Sequence, residues 1–373
     1  MVVDAAPGLP AFGLVARTKA VFAFAQPLRV GTLELFDVVK PIRTSRADRV
    51  SRGSMMMLVL TFFFLLLSGA AHAGAGPWVI GTGQGNLYLG AETQRLTRLQ
   101  IQDAGGADAE VIDVGEGLSS FGLKAVGTVG VTSRFDLEAE VPWYRVIANR
   151  DDHPLCELLG LGACNTTESL GILSLRGKGL LLDELFGAPF SLAVYGELRV
   201  GTFTAKQRQR ITNIGEGTTD TGLGVTLGRS GGLGAGYWSG YVDAGWRYRW
   251  PNTTTYPQFN GDTIAPGYEW TGLAQVVFSP TPVFGFGPSF STLYRPQGLD
   301  FKELDLTDVD RFAALRIANA RAGAVAVVRN PRSNASANLS VLRTVAAMNN
   351  PTNVWVVGVG VSISGPLVRQ STD

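Results

Sequence analysis

The sequence predicts an all-β chain, a transmembrane antiparallel up-and-down β-barrel of about twelve strands, an even number as single-chain bacterial barrels require. Three observations predict it. Apolar and polar residues alternate in one segment after another, the connections alternate between short and long, and aromatic residues gather near segment ends. Successive side chains of a strand point to opposite faces, so period-two alternation marks a strand with one apolar face. Gly 47 and a charged fraction of 17% suit β structure with many tight turns better than a helical enzyme. Lys+Arg 32 against Asp+Glu 31 gives no general case for nucleic acid.

The first 73 residues read as separate from the barrel. In VSRGSMMMLVLTFFFLLLSGAAHAGAG, Arg49 and Arg52 precede an apolar run from Met55 to Leu67, and Ala71-His72-Ala73 has the A-x-A form of a cleavage site. Residues 50–73 are therefore expected to be a secretory signal peptide. The run is short for a transmembrane helix, which needs about 20 residues. Residues 1–49 contain Pro7, Pro10, Pro27 and Pro41 without periodicity, and are expected to be an extension from a start codon called too early. Val50 or Met55 is the expected start. Residues 74–373 are left as a slightly acidic barrel domain.

Along that domain the alternation recurs. NLYLGAETQ (86–94) sets Leu87, Leu89 and Ala91 against Tyr88 and Glu92. FGLKAVGTVGV (121–131) sets Phe121, Leu123, Ala125, Val129 and Val131 against Gly122 and Lys124. FDLEAEVPW (135–143) sets Phe135, Leu137, Ala139, Val141 and Trp143 against Asp136, Glu138 and Glu140. Residues 173–181 oppose leucines to Ser174, Arg176 and Lys178, and residues 190–200 oppose Phe190, Leu192, Val194, Leu198 and Val200 to Ser191, Tyr195, Glu197 and Arg199. Residues 221–227 are a shorter case. WSGYVDAGWRYRW (238–250) is the clearest, with Trp238, Val242, Ala244, Trp246, Tyr248 and Trp250 on one face and Tyr241, Asp243, Arg247 and Arg249 on the other. Residues 268–278 follow, with Glu269, Thr271 and Gln275 on the polar face. Residues 284–294, 318–328 and 337–344 are weaker, and 355–363 places Trp355, Val357, Val359, Val361 and Ile363 on one face.

The connections 132–134, 183–189, 230–236, 279–281 and 329–335 are short, while 96–117, 147–169, 202–217, 251–266 and 295–311 are long. The connection 346–352 breaks the trend by being short. Short periplasmic turns alternating with longer outer loops are the arrangement of a membrane barrel.

The aromatics decide which face meets water. Trp143, Trp238, Trp250, Trp270 and Trp355 lie on apolar faces near strand ends, with Phe135, Tyr268, Phe278, Phe284 and Tyr294. Two girdles at lipid headgroups require that placement, whereas a sandwich core would favour aromatics at strand centres. No helical pattern is present to cover the apolar face. A soluble β-sandwich is the rival, fed by a polar tail at 364–373 where many outer-membrane barrels end on an aromatic.

The polar faces then line a lumen: Lys124, Asp136, Glu138, Glu140, Arg176, Lys178, Glu197, Arg199, Asp243, Arg247, Arg249, Glu269 and Arg321. Asp136, Glu138 and Glu140 stand about 7 Å apart along their strand. Either the cations neutralise them, or an open acidic stripe faces a passage; the inward glycines leave space and favour the second. Pro142 lacks a ladder donor and is expected at the outer rim, where pairing ends.

Other motifs carry less. GTGQG (81–85) precedes a strand rather than opening a helix, so a phosphate loop fails on context. Cys156 and Cys164, the only cysteines, are expected to pair as a loop disulfide in an exported chain. A metal site would need more ligands than nearby His153. Asp151-Asp152-His153 is the only acid–base cluster an enzyme in the wall would have at hand, and no G-x-S-x-G accompanies it. Asp300, Glu303, Asp305, Asp308 and Asp310 do not follow EF-hand spacing, and Lys206, Arg208 and Arg210 form a basic loop that lipopolysaccharide would suit. No cofactor is expected; the expected partners are outer-membrane lipids, lipopolysaccharide and a small-molecule solute.

The pieces DLEAEVPW, GEGTTDTGLGVTLGRSGG and GYVDAGWRYRW resemble the outer-membrane barrels named for the phenol meta-cleavage degradation pathway. Glu140-Val141-Pro142 stands where those proteins end a strand on an apolar residue and proline, and Gly215 to Asp220 stands at their G-x-G-x-x-D lead-in. The resemblance covers roughly residues 121–250. It implies a transporter-like barrel of the bacterial outer membrane and brings no catalytic residues.

Overall fold

The computed structural model describes residues 76–102, 109–148, 166–201, 218–250, 267–298 and 316–367. The expected signal peptide, the loop with Cys156, Cys164 and His153, the basic loop at 206–210 and the acidic loop at 300–310 lie outside the described residues.

Fourteen strands form one antiparallel sheet. They are β1 (Gln84–Gln102), β2 (Ala109–Thr132), β3 (Phe135–Ala148), β4 (Thr167–Leu170), β5 (Ile172–Leu182), β6 (Ser191–Gly201) and β7 (Thr219–Leu233). They continue with β8 (Gly236–Arg249), β9 (Tyr268–Ser279), β10 (Phe284–Arg295), β11 (Ile317–Asn330), β12 (Ala335–Met348), β13 (Asn350–Pro351) and β14 (Trp355–Pro366). Since β4 and β5 run on either side of Gly171 along one partner, β3, and β13 is a two-residue piece, the wall is a closed twelve-stranded barrel. The other strands pair with the next in order around the wall, and β1 against β14, from Gln84↔Pro366 to Gln94↔Val356, closes the ring. Closure leaves no edge with unpaired backbone groups, the condition for strands to cross a bilayer.

The faces follow the alternation. On β3, Asp136 is 1% exposed while Leu137 and Val141 are 41% and 45% exposed. Leu87, Leu89, Leu123, Val129, Leu175, Val194, Leu198, Leu223, Val225, Val242 and Val276 are likewise exposed apolar side chains. A band of this extent has no solvent but lipid, so the apolar face points outward. Trp143, Trp246, Tyr248, Trp250, Tyr268, Trp270 and Tyr294 collect where the strands meet the long connections, and Trp355 lies at the start of β14 after the short connection of that end. Phe135, Trp238, Phe278, Phe284 and Phe286 collect at the end with the short turns. Within the belts rings meet edge-on, Tyr248 and Trp250 at 5.0 Å and Phe278 and Phe286 at 6.2 Å.

Two expectations are corrected. The connection at 96–117 is largely strand: Arg98 to Gln102 of β1 pairs with Ala109 to Asp113 of β2 beyond a bulge at Leu96/Arg98. The bulge shifts the register and breaks the period-two pattern that would have marked it. β13 supports the extension, with Leu99 opposite Pro351 and Thr352 N–H donating to the Arg98 carbonyl at 3.0 Å. Pro142 is not at a rim where pairing ends. It stands inside β3, opposite Lys124 on β2, with the other side facing the interruption between β5 and β4. There its carbonyl accepts the Gly171 N–H at 2.8 Å, and the missing donor falls at an irregularity, the position a strand proline tolerates.

Candidate functional site: the barrel lumen

The inward faces divide into two arcs. From β3 to β9 the register sets opposite charges directly across from one another: Asp136↔Lys178, Glu138↔Arg176, Arg176↔Glu197, Arg199↔Asp220, Asp220↔Arg249 and Arg247↔Glu269. Cross-strand neighbours on one face lie about 5 Å apart at Cβ, close enough for each pair to meet.

Side-chain contacts follow that ladder. Lys178 Nζ lies 3.6 Å from Asp136, and Glu138 accepts from Thr128 Oγ1 at 3.4 Å. Arg176 reaches Glu197 at 3.8 Å and lies over the Tyr195 ring at 4.3 Å. Glu197 also takes Arg247 at 3.4 Å and the Ser174 hydroxyl at 2.9 Å. Arg199 pairs with Asp220 at 3.6 Å. Glu269 gathers three guanidinium groups, Arg247 at 3.2 Å, Arg249 at 3.7 Å and Arg295. Asp243 accepts the Tyr195 hydroxyl at 2.9 Å and the Thr226 hydroxyl at 2.6 Å. The half-buried Glu140 lies opposite Ser174, and Lys124 sits 5.6 Å from the Tyr88 ring centroid.

This overturns the expectation of an open acidic stripe. Asp136 and Glu138 are built into a lining of alternating sign, because the neighbouring strand presents its cations at matching positions. The glycines are not empty space either. A Cβ at Gly360 would overlap the Tyr88 ring, one at Gly224 the Tyr195 ring, and one at Gly122 or Gly171 the Tyr144 ring. Tyrosines lie flat across the inner wall where glycine leaves room for them.

The second arc, β11, β12 and β14, contains no acidic residue. Its inward side chains include Ser336, Asn338, Ser340, Thr344 and Ser362, continued on β1 by Asn86. Ser336 and Ser362 share a hydrogen bond of 2.8 Å, and Asn86 donates to Ser364 at 3.1 Å. The cations of this arc are Arg321, bound to Gln94 Oε1 at 3.3 Å, and Arg329.

A segment that showed no periodicity completes the lumen. Residues 76–81 lie inside the barrel at its turn end. Lys178 Nζ donates to the carbonyls of Gly76 and Trp78 at 3.2 and 2.8 Å, and the Trp78 indole donates to Glu184 at 3.2 Å. Glu184, in the 3-10 turn between β5 and β6, also accepts from the backbone and hydroxyl of Ser230. A Cβ at Gly130 would strike the Ile80 and Gly81 carbonyls, and one at Gly228 would strike Pro77, so glycine at both inward positions lets the segment lie against the wall. Beside Trp78 a cavity of about 580 Å³ remains.

Sequence reading did not single out Asp220, Arg295, Arg329 or Trp78 for the lumen. Asp220 and Arg295 stand one residue beyond the alternating stretches 221–227 and 284–294, and extending each by one step would have found them.

No family model matches the chain, and no curated protein matches it. Among solved structures, it is similar to an outer membrane channel from Pseudomonas putida F1, with 13% identity over 78% of this chain and 98% of that chain and a TM-score of 0.54. The toluene transporter TbuX of Ralstonia pickettii scores 0.33 at 10% identity, covering 80% of this chain and 95% of that one. The β domain of the Bordetella autotransporter BrkA scores 0.41 at 10% identity, covering 75% and 99%. Of these three scores the first marks a shared fold. With the outward apolar band, the two girdles and the closed polar lumen, the chain is a β-barrel of the bacterial outer membrane, similar in fold to a channel.

Proposed function

We propose that the protein is an outer-membrane channel or transporter for a small polar solute, with the long connections outside the cell and the short turns in the periplasm. The observation that carries the reading is the lumen itself. Its inward face is mainly polar and hydrogen-bonded, with a small buried apolar cluster of Val277, Val325 and Val327, and it keeps a cavity of about 580 Å³. Most charges of the ion-paired arc are engaged by a neighbour of opposite sign, and the hydroxyl and amide arc offers exchangeable hydrogen bonds to a passing solute. No enzymatic role is assigned.

Membership among the barrels named for the phenol meta-cleavage pathway is part of the proposal. Two of its motif positions have structural roles that support it. Pro142 faces the interruption between β5 and β4, and Asp220 accepts from the Thr218 hydroxyl at 2.7 Å while facing Arg199 and Arg249. A second reading, a non-conducting barrel, is favoured by residues 76–81, which cross the turn end of the lumen. Liposome swelling separates the two. Entry of small uncharged solutes into vesicles carrying the purified barrel supports a channel, and vesicles no more permeable than protein-free ones support the second reading.

A further inference from the structure

The cavity at the turn end has a composition that points to a ligand. It is lined by Trp78, Tyr241, Val277 and Val327 as apolar surface, by Ser239, Gln275, Ser336 and Ser362 as polar groups, and by Arg329. Arg329 is the one charged side chain among the described lining residues. Its Nη1 donates to Ser279 Oγ at 3.0 Å, and among the described residues no carboxylate lies within ion-pair distance of it. That sets it apart from the arginines of the charged arc, each of which meets an acid.

Two further groups have unused hydrogen-bonding capacity. Tyr241 and Gln275 are cross-strand neighbours, 8% and 4% exposed, and neither the Tyr241 hydroxyl nor Gln275 Oε1 has a partner. A buried polar atom left unsatisfied is costly, so two side by side on a cavity wall are a site whose complement is supplied from outside the chain. Trp78 and Tyr241 meet at 84° with centroids 6.3 Å apart and form an aromatic corner beside these groups. The volume is in the range that holds a small organic molecule.

We propose that this cavity binds a small organic carboxylate with an apolar body and a hydroxyl group. Arg329 takes the carboxylate through charge-assisted hydrogen bonds. The apolar body lies against Trp78, Val277 and Val327. Gln275 Oε1 accepts from the ligand hydroxyl, and the Tyr241 hydroxyl donates to its oxygen. The inference rests on the reading of the lumen as a solute route and names the class of solute it retains.

The test is isothermal titration of the full-length chain, purified from the outer membrane in detergent, with 3-phenyllactate and its uncharged counterpart 3-phenyl-1,2-propanediol. The unaltered protein is expected to bind the acid saturably and more tightly than the diol. Arg329→Gln is expected to weaken the acid by about tenfold or more and leave the diol unchanged. Arg343→Gln, on the outward face over Trp355, is expected to change neither. Gln275→Leu is expected to weaken both. Absence of saturable binding by the unaltered protein, equal affinity for acid and diol, or an Arg329→Gln affinity equal to the original overturns the assignment. Should Arg329→Gln fail to fold, the acid-over-diol preference of the unaltered protein decides, and Trp78→Ala removes one apolar wall without touching a barrel strand. Swelling without binding overturns this inference and leaves the channel reading standing; binding without swelling does the reverse.

Discussion

The two arcs of the lumen solve the problem of polar lining in opposite ways. From β3 to β9 the wall carries formal charges, most of them paired with a neighbour of opposite sign, while Asp243 is held by the Tyr195 and Thr226 hydroxyls. Across β11, β12 and β14 it carries hydroxyl and amide groups, two arginines and the buried valines Val325, Val327 and Val356. A charged group taken out of bulk water must be paired, and once paired it is expensive to disturb. A hydroxyl can exchange one partner for another at little cost. The first arc is therefore suited to holding the barrel in shape and anchoring residues 76–81 through Lys178, and the second to contact with a moving solute.

The largest effect should come from the charged arc. Glu269→Gln leaves Arg247, Arg249 and Arg295 without their shared acid, and is expected to cost about 3–5 kcal/mol of barrel stability. Thermal melting in detergent, followed by far-UV circular dichroism, reads the loss. A melting curve like that of the original protein would mean that the cluster is not structural.

Second in size is the release of residues 76–81. Trp78→Ala removes the indole bond to Glu184 and the ring contact with Tyr241. A net hydrogen bond of about 1 kcal/mol and apolar burial of roughly 2 kcal/mol together correspond to about a hundredfold shift in any open–closed equilibrium. Planar-bilayer recordings should show longer openings or higher conductance, and unchanged traces would mean that this segment does not obstruct the lumen.

The carboxylates of β3 give a smaller effect. Asp136→Asn, Glu138→Gln and Glu140→Gln together are expected to leave the reversal potential under a salt gradient nearly unchanged and to lower stability by about 1–3 kcal/mol. A large shift towards anions would restore the open acidic stripe and contradict the ion-paired arc. Smallest of all, Ser336→Ala breaks the hydroxyl pair with Ser362 at a cost below about 1 kcal/mol. A loss as large as that of Glu269→Gln would erase the distinction between the arcs.

How far the molecule was legible beforehand follows the same division. The faces of residues 135–143 and 238–250 were readable because the period of two is a property of the backbone alone. The pairing of Asp136 with Lys178 was not. It depends on inter-strand register, and a slip of one residue would place Gly177 or Gly179 opposite the acid instead. The bulge at Leu96 hid the upper part of β1 and β2 for a related reason, since the alternation resumes there on a shifted register. Residues 76–81 have no periodicity because their position is set by Lys178, Glu184 and the two inward glycines rather than by a ladder.

The central claim, that the acid-free arc borders a route for small polar solutes, is tested most directly by swelling of liposomes carrying the purified protein, with and without Trp78→Ala. The account predicts uptake of small uncharged polar solutes by the original protein, and faster uptake by the Trp78→Ala variant. Vesicles as impermeable as protein-free controls in both cases, with the barrels shown to be folded, would contradict it.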